Sequence, residues 1–166
     1  MRKIVFLLFI IIAALTLISR KKELLIPNEA IRIRIIANSN DIYDQEIKLK
    51  VKNDINAYLY SKLDNVDNYN DAKKVIVRSL DEIKELINKY SSDFEVNYGK
   101  NYFPEKKYKG TKYNEGNYES LVIKLGKGKG ENFWCILFPP ICMIDEEKLD
   151  NVTYDLFIKN LLNKIK

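Results

Sequence analysis

The sequence predicts an α+β fold: two layers, with a mixed or antiparallel sheet of about four strands, two helices packed on one face, and a C-terminal helix. Strand-period segments lie at Ile31–Ile35, Phe94–Tyr98 and within Tyr118–Phe138. Two helical-period segments, Ile42–Leu63 and Ala72–Tyr90, separate the first of these from the second. With 166 residues, 46% of them apolar, the chain can bury one core, and no repeat or low-complexity linker divides it.

Charge is unevenly placed. The net charge is +5, and Arg2, Lys3, Arg20, Lys21 and Lys22 account for all of it, leaving the remainder neutral (5 − 5 = 0). A neutral domain has no strong electrostatic reason to bind phosphates, so no nucleic-acid partner is expected. The basic residues bracket an apolar run, Ile4–Ile18, interrupted only by Thr16. At 1.5 Å per residue it spans about 22 Å against a bilayer core of about 30 Å. Residues 1–22 therefore read as a signal peptide or N-terminal membrane anchor, and residues 23–166 as one exported domain. Residues 4–18 would hold it to the membrane if uncleaved.

The first strand, Ile31-Arg32-Ile33-Arg34-Ile35, alternates isoleucine with arginine, which predicts a half-buried strand with the arginines on a solvated face. Asn38-Ser39-Asn40-Asp41 is a turn-forming run, with Asp41 placed as an N-cap and Asp44 in the first helical turn. The helix that follows, Ile42–Leu63, carries Ile47, Val51, Ile55 and Leu59 at four-residue steps. The second, from about Ala72 to Tyr90, carries Ile76, Leu80, Ile83 and Ile87 on one side. Phe94, Val96 and Tyr98 then alternate as a strand. Residues 100–117 read as a long tyrosine-bearing loop that either covers the sheet's open side or meets a partner.

Tyr118–Cys142 reads as the spine of the core: a hairpin whose strands, Leu121–Leu125 and Phe133–Phe138, flank a glycine-rich turn. Gly126, Gly128 and Gly130 supply the backbone freedom for the reversal, and Pro139 ends the second, central strand. Asp145–Lys166 is charged and helical toward its end. The strand order is not readable.

Catalytic chemistry is thinly supplied. The chain has no histidine, which removes Ser-His and Cys-His nucleophiles and histidine zinc sites, and its two cysteines alone build no metal site. No cofactor or metal is expected. The Gly-Lys turn does not match a phosphate loop. Asp41, Asp44 and Glu119 are the residues an exported carboxylate-dependent hydrolase of cell-wall glycan would use, which is the alternative function. Cys135 and Cys142 either close a small disulfide loop, a stabilisation of roughly 2.5 kcal/mol, or pack as buried thiols.

A resemblance bears on function. Ile33-Arg34-Ile35-Ile36-Ala37-Asn38-Ser39, then Asp44-Gln45 and Lys48-Leu49-Lys50-Val51, resembles the opening signature of the stage II sporulation protein R family of endospore-forming bacteria. Phe103-Pro104, Tyr108, Gly110, Tyr113, Gly116 and Tyr118-Glu119 resemble its second half. So does the run from Gly126 through Asn132-Phe133-Trp134-Cys135 and Leu137-Phe138-Pro139-Pro140 to Cys142. The resemblance covers about residues 31–144, and Phe133-Trp134 stands where the family pattern has two tryptophans.

It implies a signalling protein and not an enzyme, exported from the forespore into the intermembrane space. There it would activate a membrane-embedded aspartic peptidase that processes the sigma-E precursor. The candidate partner-binding residues are Asn38, Ser39, Asn40, Asp41, Gln45 and Lys48 in one patch, and Lys127, Lys129 and Trp134 in a second. For the first run the alternative is a turn with a cap, and for Trp134 a place in the core.

Overall fold

Alternating isoleucines make β2 (Ile31–Ile36) the hub of the principal sheet in the computed structural model, which describes residues 23–24, 29–108 and 111–141. Parallel β6 (Gly116–Leu125) flanks it on one side and antiparallel β7 (Asn132–Phe138) on the other. A further strand, β3 (Phe94–Phe103), pairs antiparallel with β6, giving the mixed order β3–β6–β2–β7. Ile33 lies between Leu121 and Cys135, and Ile35 between Ile123 and Phe133. Strand periodicity therefore sends Ile31, Ile33 and Ile35 to one face and Arg32 and Arg34 to the other.

Three helices cover the isoleucine face: α1 (Ile42–Leu63), α2 (Tyr69–Arg78) and α3 (Leu80–Asn88). Val51, Ile55 and Leu59 of α1 meet Ile76 of α2 and Ile83 and Ile87 of α3 in one core with the strand isoleucines. Fully burying each such side chain contributes about 1.5–3 kcal/mol. Surface ion pairs in water add far less, so the helix–sheet seam decides stability. A second sheet of three short strands, β1 (Glu23–Leu24), β4 (Lys106–Tyr108) and β5 (Thr111–Tyr113), has the order β1–β5–β4.

The α+β class, the mixed four-stranded sheet and the bounds of α1 agree with the sequence reading. Several expectations do not. Strands β6 and β7 form no hairpin, because β2 lies between them, and β7 is an edge strand of this sheet and not a central one. Its apolar run is explained by burial of its second half, Ile136 to Phe138. The expected second helix is two helices broken at Ser79, whose backbone (φ −90°, ψ 1°) leaves the α region. Asn68 caps the first of them, its side chain accepting the Asp71 N–H at 2.9 Å.

Asp41 occupies the N-cap position of α1, but its side chain makes no capping bond; its own N–H donates to Ser39 Oγ at 3.1 Å. The expected loop over residues 100–117 contains the end of β3, β4, β5 and the start of β6. Arg32 is not solvated: it is 2% exposed, beneath the rings of Phe103 at 4.2 Å and Tyr118 at 5.0 Å. The expected leader (1–22), C-terminal helix and Cys142 lie outside the described residues. Among the described residues no helix is long and apolar enough to cross a membrane.

Candidate contact site at the end of the sheet

Topology brings two polar loops together. Because β6 runs parallel to β2, the connection from β6 to β7 must pass over the end at which β2 exits toward α1. The residue types there permit a close crossing. Gly126 and Gly128 adopt φ of 51° and 61°, conformations that suit glycine. At Gly130 the demand is for space, since an added Cβ would lie inside the Ser39 carbonyl group.

The crossing is stitched by hydrogen bonds. Gly130 N–H donates to Ala37 O at 2.9 Å and Lys129 N–H to Asn38 O at 3.0 Å. Lys127 N–H donates to Asn38 Oδ1 at 2.9 Å, and Glu131 N–H to Asn40 Oδ1 at 2.7 Å. From α1, the Asp44 carboxylate accepts from Asn38 Nδ2 at 2.8 Å and Ser39 Oγ at 2.6 Å. Gln45 Nε2 donates to Ser39 O at 2.8 Å. Lys48, 7% exposed, donates to Gln45 Oε1 and, at 3.1 Å, to Glu131 O. Burial lowers the Lys48 pKa, opposed by the Glu131 charge.

Of the nine candidate contact residues, then, Asn38, Ser39, Gln45 and Lys48 turn inward and hold the crossing. Asn40, whose side chain also bonds across the crossing, and Asp41, Lys127 and Lys129 are exposed. The two patches foreseen in the sequence are one site, except for Trp134. That residue lies on the sheet face away from the helices, its ring 4.5 Å from the Arg34 guanidinium and 5.2 Å from Phe103, with Lys106 also over it.

Two residues missed in the sequence dominate the surface here: Ile42 is 81% exposed and Tyr43 69%. The signal was present, because Ile42 and Leu49, seven positions apart, fall on one helical face opposite the Ile47–Val51–Ile55–Leu59 stripe. Beside them is a shallow groove of about 190 Å³, formed where α1, the segment after α3 and the start of the glycine loop meet.

Glu119 does not converge with Asp41 and Asp44, the other carboxylates of the hydrolase alternative. Glu119 pairs with Ile31 at the start of β2, whereas Asp41 lies beyond its end. Five strand steps at about 3.3 Å separate Ile31 from Ile36, about 16 Å and well past the separation a glycosidase pair needs. Glu119, 7% exposed, is held instead by Lys73 at 2.8 Å. Near it, burial and then the Glu119 charge raise the Tyr98 pKa, and among the described residues the Tyr98 hydroxyl has no well-formed hydrogen bond. Among the described residues no group of three or more histidine, cysteine or acidic side chains could hold a metal. Cys135 is disulfide-bonded, and the chain has one other cysteine, Cys142.

The fold and the crossing define a small α+β domain whose most developed described feature is a hydrogen-bonded polar surface with apolar side chains exposed beside it. Residues 27–148 match the model of the family described as Stage II sporulation protein R (spore_II_R), and the chain belongs to that family. It is 35% identical over 133 residues to the Stage II sporulation protein R of Bacillus subtilis (strain 168), an alignment covering 76% of this chain and 59% of that protein. The chain thus spans about three fifths of its relative's length. No solved structure matches it.

Proposed function

We propose that this protein is an exported forespore-to-mother-cell signal that acts by contact, binding a membrane-embedded aspartic peptidase and so promoting processing of the sigma-E precursor. Membership of a sporulation family gives the biological setting. The observation that carries the contact reading is the crossing at the end of β2, where buried Lys48 and half-buried Asp44 tie two loops together and Ile42 and Tyr43 stand exposed next to them. A preformed surface with exposed apolar anchors suits binding, because little ordering entropy is lost on contact. Tighter binding to the active form of the peptidase would shift that enzyme's population. The separation of Asp41 from Glu119 speaks against the hydrolase alternative.

In this reading the leader exports the domain to the intermembrane space, and Cys135 pairs with Cys142. The test is co-expression of the full chain, the peptidase and the precursor in a host that does not sporulate. Processing is expected only when the leader is functional. Processing by the peptidase without this chain, or with the chain retained in the cytoplasm, would refute the proposal.

A further inference from the structure

We propose that the groove between Tyr43 and Tyr90 receives one basic side chain, an arginine or lysine, from the partner protein. The proposal rests on the contact reading above and specifies its chemistry. At about 190 Å³ the groove is smaller than the 300 Å³ or more typical of cofactor and drug-sized sites, and suits a single side chain. Its lining residues include two tyrosines, Tyr43 and Tyr90, and two aspartates, Asp44 and Asp93, with Ile47 and Leu125 adding apolar surface. That is the combination a long cationic side chain uses: apolar surface for the stem, ring faces and carboxylates for the head.

The carboxylates have capacity to spare. Both donors to Asp44 reach Oδ2, and no described residue donates to Oδ1. The Asp93 side chain is exposed and accepts from no described residue; only its backbone carbonyl is used, by Ser91 and Gly126. The Tyr90 hydroxyl is fixed by donation to Asp54 at 2.9 Å, which places a third carboxylate behind that ring. No lysine or arginine lines the groove.

One effect opposes the assignment, since the N-terminus of α1 lies alongside and carries about half a positive charge. Two full negative charges among the lining residues outweigh that half charge and disfavour an anionic occupant. Among the described residues no third histidine, cysteine or acidic side chain completes a metal site here.

Two measurements test this. In the first, the full chain in lipid nanodiscs is titrated against the peptidase, comparing wild type with Asp93→Lys, Asp93→Asn, Tyr43→Ala and, as control, Glu82→Lys on the exposed side of α3. Thermal melts check that each variant folds. Asp93→Lys and Tyr43→Ala should each weaken binding about tenfold, Asp93→Asn less, and Glu82→Lys not at all. Folded Asp93→Lys and Tyr43→Ala that bind as wild type would overturn the groove while leaving the contact reading intact.

In the second, the same chain is titrated with N-acetyl-argininamide and followed by amide shifts. Saturable shifts at Tyr43, Asp44, Tyr90 and Asp93, lost in Asp93→Lys, support the groove even if wild type fails to bind the peptidase, a failure that would instead remove the contact reading. Absence of shifts at those residues, or shifts unchanged in Asp93→Lys, would overturn the groove.

Discussion

The side-chain carbonyl of Asn38 accepts the backbone N–H of Lys127 at 2.9 Å, joining positions 89 residues apart in the sequence. Its amide donates to Asp44 at 2.8 Å, so one asparagine ties the exit of β2 to both the glycine loop and α1. Replacing it removes an acceptor from the exposed Lys127 N–H and a donor from the part-buried Asp44 carboxylate. Asn38→Ala should cost about 1–3 kcal/mol, visible as a lowered urea midpoint with an unchanged slope. It should also weaken activation of precursor processing beyond what the loss of folded protein explains. An unchanged midpoint would show that the bond is not needed to close the crossing.

Gly130 makes a sharper steric demand. Its φ is unremarkable, so the cost of a side chain there is collision with the Ser39 backbone and not conformational strain. Gly130→Ala should therefore disturb the crossing more than a nearby exposed change such as Lys127→Ala, by about 1–3 kcal/mol. Hydrogen exchange of the amides at Lys129, Gly130 and Glu131 is the local readout. Faster exchange there, with the α2 and α3 amides still protected, is the expected pattern.

Tyr98 supplies a pH dependence. Burial, then the Glu119 charge, holds its pKa above the ordinary value near 10. The folded state thus keeps a proton that the unfolded chain releases, and stability falls as pH rises past 10. Below that value the contribution is fully present. Tyr69 and Tyr118 are shifted in the same direction, both chiefly by burial. Urea midpoints between pH 8 and 11 should decline, and Tyr98→Phe should make the decline shallower. Because the Tyr98 hydroxyl has no well-formed hydrogen bond among the described residues, that variant should match or exceed wild type at pH 8. An equally steep decline in the variant would show that Tyr98 does not drive it.

Trp134 should behave as a packing residue. Its ring stacks with Arg34 and meets Phe103 edge-on at an interplanar angle of 70°. Trp134→Ala should lower stability by up to about 3 kcal/mol, at the low end for a large aromatic because the residue is only half-buried. Measured on folded protein, affinity for the peptidase should change little. A large loss of affinity with unchanged stability would restore Trp134 to the contact surface.

Much of this architecture was legible in the sequence because short-range patterns set it. Four-step apolar spacing placed α1, and isoleucine alternation placed β2 and its core face. What was not legible depends on pairing. Nothing local to Leu121–Leu125 or Phe133–Phe138 says that β2 lies between them, and a glycine-rich turn between two strands reads as a hairpin until the third strand is seen. The same applies to Ser79, an ordinary residue in a helical stretch, and to Arg32, whose burial depends on rings contributed by Phe103 and Tyr118. For the site, the polar residues stood out by type, but their division into inward braces and outward contacts needed the crossing. Ile42 and Tyr43 did not stand out because their exposure depends on how α1 packs, although Ile42 falls on the face opposite the core stripe.

The central claim, that the chain signals by contact, is tested most directly by stoichiometry. Full-length protein should be titrated against a fixed, high concentration of the peptidase in membranes, with the rate of precursor cleavage as the readout. An activator that works by occupancy predicts a rate that climbs in proportion to added protein and levels off near one equivalent. A maximal rate reached and sustained at a small fraction of an equivalent would contradict the account, because the chain would then be acting catalytically.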